Sequence, residues 1–266
     1  MTILLTNDDG VDAPGLAILA RFLAGLDDLV VAAPAENQSG VGMAITITRG
    51  LMAERRPDGP GGVPRHSIDG TPADAVKYAL GHLFREKPPR LVVSGINYGP
   101  NLGRNVRCSG TVGAAFEALT SGLPALAVSV EYAVPPNWDG AGHYARRLAE
   151  KALKLAESRP DRPFLLNLNV PSRPPGEIAG LVAARHGTGG FLETLVRKPD
   201  GEGFVTGGEW LVSRDGDAAV FDAGFAVVTP LRFEMTDEAL LDDLRWRWRE
   251  DLVRPGTDAG AKKGNG

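Results

Sequence analysis

LVVSGINYGPNLGRNVRCSGTVGAAFEALTSGLPALAVSV, residues 91–130, decides the fold class. An apolar run at 91–94 reads as a buried strand. A Gly- and Asn-rich loop follows, then a helix over 109–121 and a second buried-type strand over 125–130. Strand, helix and strand in that order make a βαβ unit, whose strands lie parallel in one sheet. The same alternation extends outward. Residues 3–6, 29–33, 44–48 and 164–170 read as strands. Residues 14–24, 71–84 and 141–158 read as helices, with Pro72 suited to a first helical turn. Between them, RRPDGPGGVPR at 55–65 has the composition of an exposed loop.

The expected fold class is therefore α/β: a Rossmann-like, mostly parallel sheet with helices on both faces, forming a catalytic core over residues 1–170. Beyond 171 the texture changes to Gly, Pro and short β-like runs such as GEGFVTGGEWLV and AGFAVVTPL. This predicts a β-rich extension over 171–252, closed by a helix over 236–252, and a flexible tail at 253–266. The extension carries Phe191, Phe204, Trp210, Phe221, Phe225, Trp246 and Trp248. With so many large apolar groups among short elements, some are expected to hold subunits together, as a homodimer or homotetramer; packing on the chain's own sheet is the alternative.

Composition narrows the function. The 266 residues are 43% hydrophobic and 23% charged, an ordinary globular mix. The net charge of −4 argues against nucleic acid or an anionic membrane surface as partner. Cys108 is the single cysteine, so no intrachain disulfide forms, and it reads as a small buried filler. No signal peptide and no membrane-length apolar run is visible, which points to the cytoplasm.

In open parallel sheets, ligands bind beyond the carboxyl ends of the strands. The first strand ends there on two adjacent acids, Asp8 and Asp9, within ILLTNDDGVDAPG, residues 3–15. The loop AENQSGVG, 35–42, follows the second strand, and residues 94–111 follow the strand at 91–94. These loops bring the Asp8 and Asp9 carboxylates, the Ser39 hydroxyl and the Asn97 amide oxygen to one sheet edge. Such hard oxygens suit Mg²⁺, Ca²⁺ or Mn²⁺, and a shared cation would explain two like charges side by side. A turn of this kind also caps helices, and Asp12, just before Pro14, reads as an N-cap.

SGTVGAAFEA, 109–118, opens the next helix. Free N–H groups and a partial positive charge lie at such a start. Ser109 and Thr111 add hydroxyl donors, and Gly110 allows close approach, so the turn can cradle a phosphate. A plain Ser or Thr N-cap accounts for the same start. Other nucleotide and phosphatase motifs are missing. There is no GxxxxGK[ST] and no GxGxxG. No Asp stands two residues after Asp8 or Asp9, where Gly10 and Val11 occur. His66, His82, His143 and His186 show no metal-binding spacing.

ILLTNDDGVDAPGL, NQSGVG, GTPADAV, SGINYGPNLG, SGTVGAAFEA, LNLNVP and VTPL together resemble the SurE survival-protein family, in the family's order and over roughly residues 1–235. The resemblance implies a metal-dependent nucleotidase that hydrolyses nucleoside 5′-monophosphates, with 3′-monophosphates and short polyphosphate as further substrates. It implies one divalent ion, Mg or Mn, per subunit. Asp8, Asp9, Ser39 and Asn97 match the family's metal ligands, and Ser109, Gly110 and Thr111 match its phosphate-facing turn, with Asn97 adjoining. It also implies a β-rich part that builds a dimer or tetramer. Ala75, Asn105 and Cys108 depart from the usual pattern; the latter two stand near the site and bear on substrate preference.

Phosphomonoester hydrolysis is slow without charge neutralisation, and the expected route is attack by a metal-activated water, with Asp8 and Asp9 as catalytic residues. A nucleotide-sugar transferase, which also pairs acids with a cation, is one alternative. A nucleotide-binding stress protein without turnover is the other.

Overall fold

The computed structural model describes residues 1–211, 214–250 and 252. In chain order the elements are β1 (Thr2–Thr6), α1 (Pro14–Leu23), β2 (Asp28–Pro34), β3 (Ala53–Gly59), β4 (Val63–Ile68), α2 (Pro72–Tyr78), β5 (Leu91–Tyr98), α3 (Gly110–Thr120), β6 (Ala125–Val130), α4 (Trp138–Ser158), β7 (Leu165–Val170), β8 (Leu181–Ala183), β9 (Gly190–Arg197), β10 (Phe204–Leu211), α5 (Gly216–Asp222), β11 (Ala226–Leu231) and α6 (Glu238–Arg247).

Nine strands form one sheet in the order β3-β4-β2-β1-β5-β6-β7-β11-β8. From β4 to β7 every pairing is parallel. The edges are mixed: β3 runs antiparallel to β4, β11 antiparallel to β7, and β8 parallel to β11. This is the expected Rossmann-like α/β fold. Both faces of the sheet are covered, which is why the central strands read as nearly unbroken apolar runs. On one face Leu5, Val93 and Val128 pack under α1 and α4. On the other Leu4, Val92 and Ala127 pack under α2 and α3. The chain leaves β1 toward β2 on one side and returns to β5 on the other. The sheet therefore changes winding direction at β1, and the crevice beyond its carboxyl end is where this fold binds ligands.

The structure departs from the sequence reading at several points. Residues 44–48 form no strand; Thr46 instead donates from N (3.0 Å) and Oγ1 (2.7 Å) to Asp74 in the first turn of α2. Residues 55–65 are not an exposed loop but most of the β3–β4 hairpin, whose second strand pairs with β2. Their Pro and Gly serve an irregularity between Arg56 and Gly59 and a turn at Gly61 and Gly62, both at positive φ. The helix expected over 71–84 is α-helical only to Tyr78, behind a Thr71–Asp74 capping box, and ends in a wider turn over Ala79–Leu83. Asp12 does not cap α1; its carboxylate pairs with Arg56 (3.2 Å) and Arg65. Cys108 is exposed rather than buried.

Beyond residue 171 the expected β-rich region is present, but it is not set apart from the core. β8 and β11 extend the main sheet, only β9 and β10 make a separate two-stranded sheet, and a short helix, α5, intervenes. One compact unit runs from Met1 to Leu231, so the boundary expected at 170 falls inside it. The second unit, from Arg232, contains α6 at 238–247, shorter than the helix expected over 236–252. The tail at 253–266 lies outside the described residues. Among the described residues no helix is long and apolar enough to cross a membrane.

Candidate active site

The acidic turn after β1 is shaped from within. The buried Asn7 amide donates to Gly10 O (2.9 Å), folding the chain back so that both acids stand at the sheet edge. The loop after β2 docks onto this turn through Gln38 N to Asp8 O (2.7 Å). That brings Ser39 and the Tyr98 N–H to Asp9, where both favour its charged form, and Asn37 Nδ2 donates to Asp9 Oδ1 (3.5 Å). Asn97, at the end of β5, donates from Nδ2 to Gly99 O (2.6 Å), which leaves its Oδ1 as the atom available to a cation.

α3 meets Asp8 head on. The Thr111 hydroxyl donates to Asp8 Oδ1, and Ser109 Oγ accepts from Val112 N (3.0 Å) as the N-cap. A Cβ on Gly110 would lie 2.7 Å from Asp8 Cβ and 3.0 Å from Asp8 Oδ2, so only glycine lets the helix start come this close. The N-cap explanation of Ser109 is thus correct, yet Ser109 also lines the cavity, where its proton remains free to donate. Thr111 differs from expectation. It is fully buried, and its hydroxyl holds Asp8 rather than facing the cavity.

Burial pushes Asp8 up to about 6, opposed by the Thr111 hydrogen bond and reinforced by the neighbouring Asp9 charge. Burial also raises Asp9, against the bonds from Tyr98 and Ser39. Both acids therefore hold their charge at a cost that a bound cation would remove. Among the described residues no three His, Cys, Asp or Glu side chains gather to form a metal site of their own. The donor set that fits is two carboxylates with the neutral oxygens of Ser39 and Asn97, an all-oxygen set suited to Mg²⁺ or Mn²⁺.

Asp8, Ser39, Asn97 and Ser109 open into one cavity of about 800 Å³. The same lining carries the aromatic side chains of Tyr98, Tyr132, Phe191 and Trp210, together with Glu131, Glu193 and Asp222. Tyr98 and Tyr132 stack with ring centres 4.5 Å apart, and Trp210 Nε1 donates to Asp222 Oδ1 (3.1 Å). Phe191, Trp210 and Phe221, from the group of large apolar residues of which some are expected at a subunit contact, line this cavity within the chain. Sequence reasoning missed Tyr98 and Tyr132 altogether. The available signal was position, since each stands at or just beyond the carboxyl end of a central strand.

The fold and cavity together define a class: a doubly wound α/β protein with carboxylate, hydroxyl and amide oxygens gathered beside a helix N-terminus, in a pocket that aromatic side chains also line. The chain belongs to the SurE family; the model of the family described as Survival protein SurE matches residues 3–191. Proteins named 5′-nucleotidase SurE are 36% identical in Rhizorhabdus wittichii, over 91% of this chain and 97% of that one. The corresponding Anaeromyxobacter protein is 39% identical, over 92% of this chain and 95% of its own. The crystal structure of SurE protein from Aquifex aeolicus superposes with a TM-score of 0.79 at 32% identity, covering 93% of this chain and 99% of that chain.

Proposed function

We propose that this protein is a metal-dependent 5′-nucleotidase, hydrolysing nucleoside 5′-monophosphates to nucleoside and phosphate. One observation carries the reading: a single cavity joins Asp8, Ser39, Asn97 and the start of α3 to a set of aromatic side chains, with Asp9 next to Asp8 in the chain. The oxygen groups and the helix start suit a phosphate with a cation, and the aromatic side chains suit a base. Family membership and the names of the relatives support it.

One divalent ion, Mg or Mn, would be held by Asp8, Asp9, Ser39 and Asn97. When bound it neutralises charge on the phosphoryl oxygens and makes water a better nucleophile. The chain's own residues supply the positioning. Thr111 fixes the Asp8 carboxylate, and Asn37 Nδ2 holds Asp9, whose charge Ser39 and the Tyr98 N–H favour. Ser109 offers its hydroxyl proton to a phosphoryl oxygen while capping α3, whose dipole favours the anion. Water then attacks in line and the nucleoside leaves in a single displacement.

The proposal extends to assembly and location. A homodimer or homotetramer is supported by the exposed apolar side chains of the β9–β10 hairpin, Leu195, Val196, Phe204 and Val205. The exposed, unpaired Cys108 thiol suits a reducing compartment such as the cytoplasm. A phosphate-release screen over 5′- and 3′-nucleoside monophosphates and short polyphosphate, each with Mg²⁺ or Mn²⁺, tests the function. Release from 5′-monophosphates is the expected result, and binding of nucleotide without release from any of them would refute it.

A further inference from the structure

We propose that Asn105 is a positioning residue for nucleoside selectivity, latching the β9 end of the aromatic wall to the turn that leads into α3. The inference rests on the nucleotidase reading. Asn105 is buried and uses both ends of its amide. Its Oδ1 accepts from Phe191 N (2.7 Å), while Nδ2 donates to Phe191 O (2.8 Å) and to Glu193 Oε1 (2.7 Å). Gly190 makes this approach possible, since at its φ of +118° it carries no Cβ to run into Asn105 Oδ1. The same turn is gripped twice more. Asp217 accepts from Gly103 N (3.2 Å), and His186 Nε2 bonds Gly103 O (2.7 Å).

The latch matters because of what β9 carries. Phe191 and Glu193 line the cavity, and Phe191 stands opposite Trp210 in the β9–β10 register. That hairpin is a sheet of two strands, which is marginal without outside support. From Glu193 to Arg197 its first strand is exposed, so within the chain it is fixed beside the pocket by the bonds at its base and by Trp210, which packs on α5 and donates to Asp222. Asp8, Ser39 and Asn97 take no part in those bonds. Loosening the latch should therefore weaken contacts to the nucleoside more than contacts to the phosphate.

An amide is required at Asn105 because one end must donate and the other accept. Aspartate can only accept. It would leave Phe191 O without this donor and set a second carboxylate against Glu193. The test is kcat/KM for AMP and for p-nitrophenyl phosphate, which lacks sugar and base, with Mn²⁺ present. Asn105→Asp should lower the AMP to p-nitrophenyl phosphate ratio about tenfold, mainly through KM for AMP, the effect of losing one to two net hydrogen bonds. Asn105→Asp with Glu193→Gln should restore most of the ratio, because the glutamine amide can donate to the new carboxylate. Glu193→Ala alters an exposed side chain, keeps the fold, and should lower the ratio about threefold.

Equal losses on both substrates, no recovery in the double variant, or an unchanged ratio in Glu193→Ala would overturn the proposal. If Asn105→Asp fails to fold, the Glu193→Ala result decides. A wild-type protein that cleaves p-nitrophenyl phosphate and no nucleoside monophosphate would instead remove the nucleotidase reading, and this inference with it.

Discussion

Gly110→Ala separates the packing of the site from the stability of the fold. Gly110 is the first residue of α3, and alanine in a helix is favoured over glycine by about 1 kcal/mol. Here the added methyl would lie 2.7 Å from Asp8 Cβ, 3.0 Å from Asp8 Oδ2 and 3.1 Å from Pro72 Cγ. Relieving such overpacking costs about 1–3 kcal/mol. The two effects partly cancel, so the variant should lose no more than about 2 kcal/mol of stability. Activity has no such compensation. Asp8 must withdraw from α3 by a good fraction of an ångström, and displacement of about 1 Å in a reacting constellation costs on the order of 10²-fold. Phosphate release from AMP with Mn²⁺, beside a urea melt, reads both quantities. A Gly110→Ala protein with near-normal kcat/KM would show that Asp8 does not depend on its contact with α3, and the site geometry would have to be redrawn.

Other outcomes follow from the same geometry. EDTA should abolish hydrolysis, and Mg²⁺ or Mn²⁺ should restore it; full activity in excess chelator, with no metal in the protein, would refute the oxygen-donor site. Thr111→Val removes the donor to Asp8 Oδ1, and losing a hydrogen bond to a charged group is worth about 2 kcal/mol, or roughly 30-fold in turnover. Thr111→Ser should recover most of that loss, and a valine variant of unchanged rate would reduce Thr111 to packing. Burial works against the Asp74 charge, but hydrogen bonds from Thr46 and Thr71 outweigh it and hold the carboxyl below its ordinary value. A folded pKa below the unfolded one stabilises the protein above the unfolded value, and the benefit is lost as pH falls through the folded pKa. Asp74→Ala should therefore cost about 2 kcal/mol at pH 7 by leaving those donors unpaired, and less near pH 3. Urea melts showing the same deficit at both pH values would contradict this.

What the sequence revealed depended on how local each signal was. Ile3, Leu4 and Leu5 ending on Asp8 and Asp9 disclose both a buried strand and a charged edge within a few residues. The Ser-Gly-Thr opening of α3 discloses the helix cap in the same way. The β3–β4 hairpin stayed hidden because Arg55 and Arg56 occupy the edge strand β3 and Arg65 the strand beside it, where burial is incomplete and does not demand apolar residues. Asp12 misled because a carboxylate before Pro14 satisfies the N-cap pattern, while the arginines that claim it lie 44 and 53 positions away. Thr111 was placed at the site for the right neighbourhood but the wrong partner, since Asp8 lies 103 positions from it. The Asn105 contacts span 86 and 88 positions and join elements whose sequences bear no mark of each other. Long-range polar pairing of this kind leaves no periodicity to read.

The central claim is that Asp8 and Asp9 serve phosphate-ester hydrolysis of nucleotides through a shared cation. Phosphate release from AMP by the wild-type protein and by Asp9→Asn, at saturating Mn²⁺, tests it most directly. Asp9 is half-buried on a turn outside the apolar core, so the variant should melt like wild type. The wild-type protein should yield adenosine and phosphate in equal amounts, and the variant should lose at least about 10²-fold in rate. No release from AMP or any other nucleoside monophosphate, or an Asp9→Asn rate equal to wild type, would contradict it.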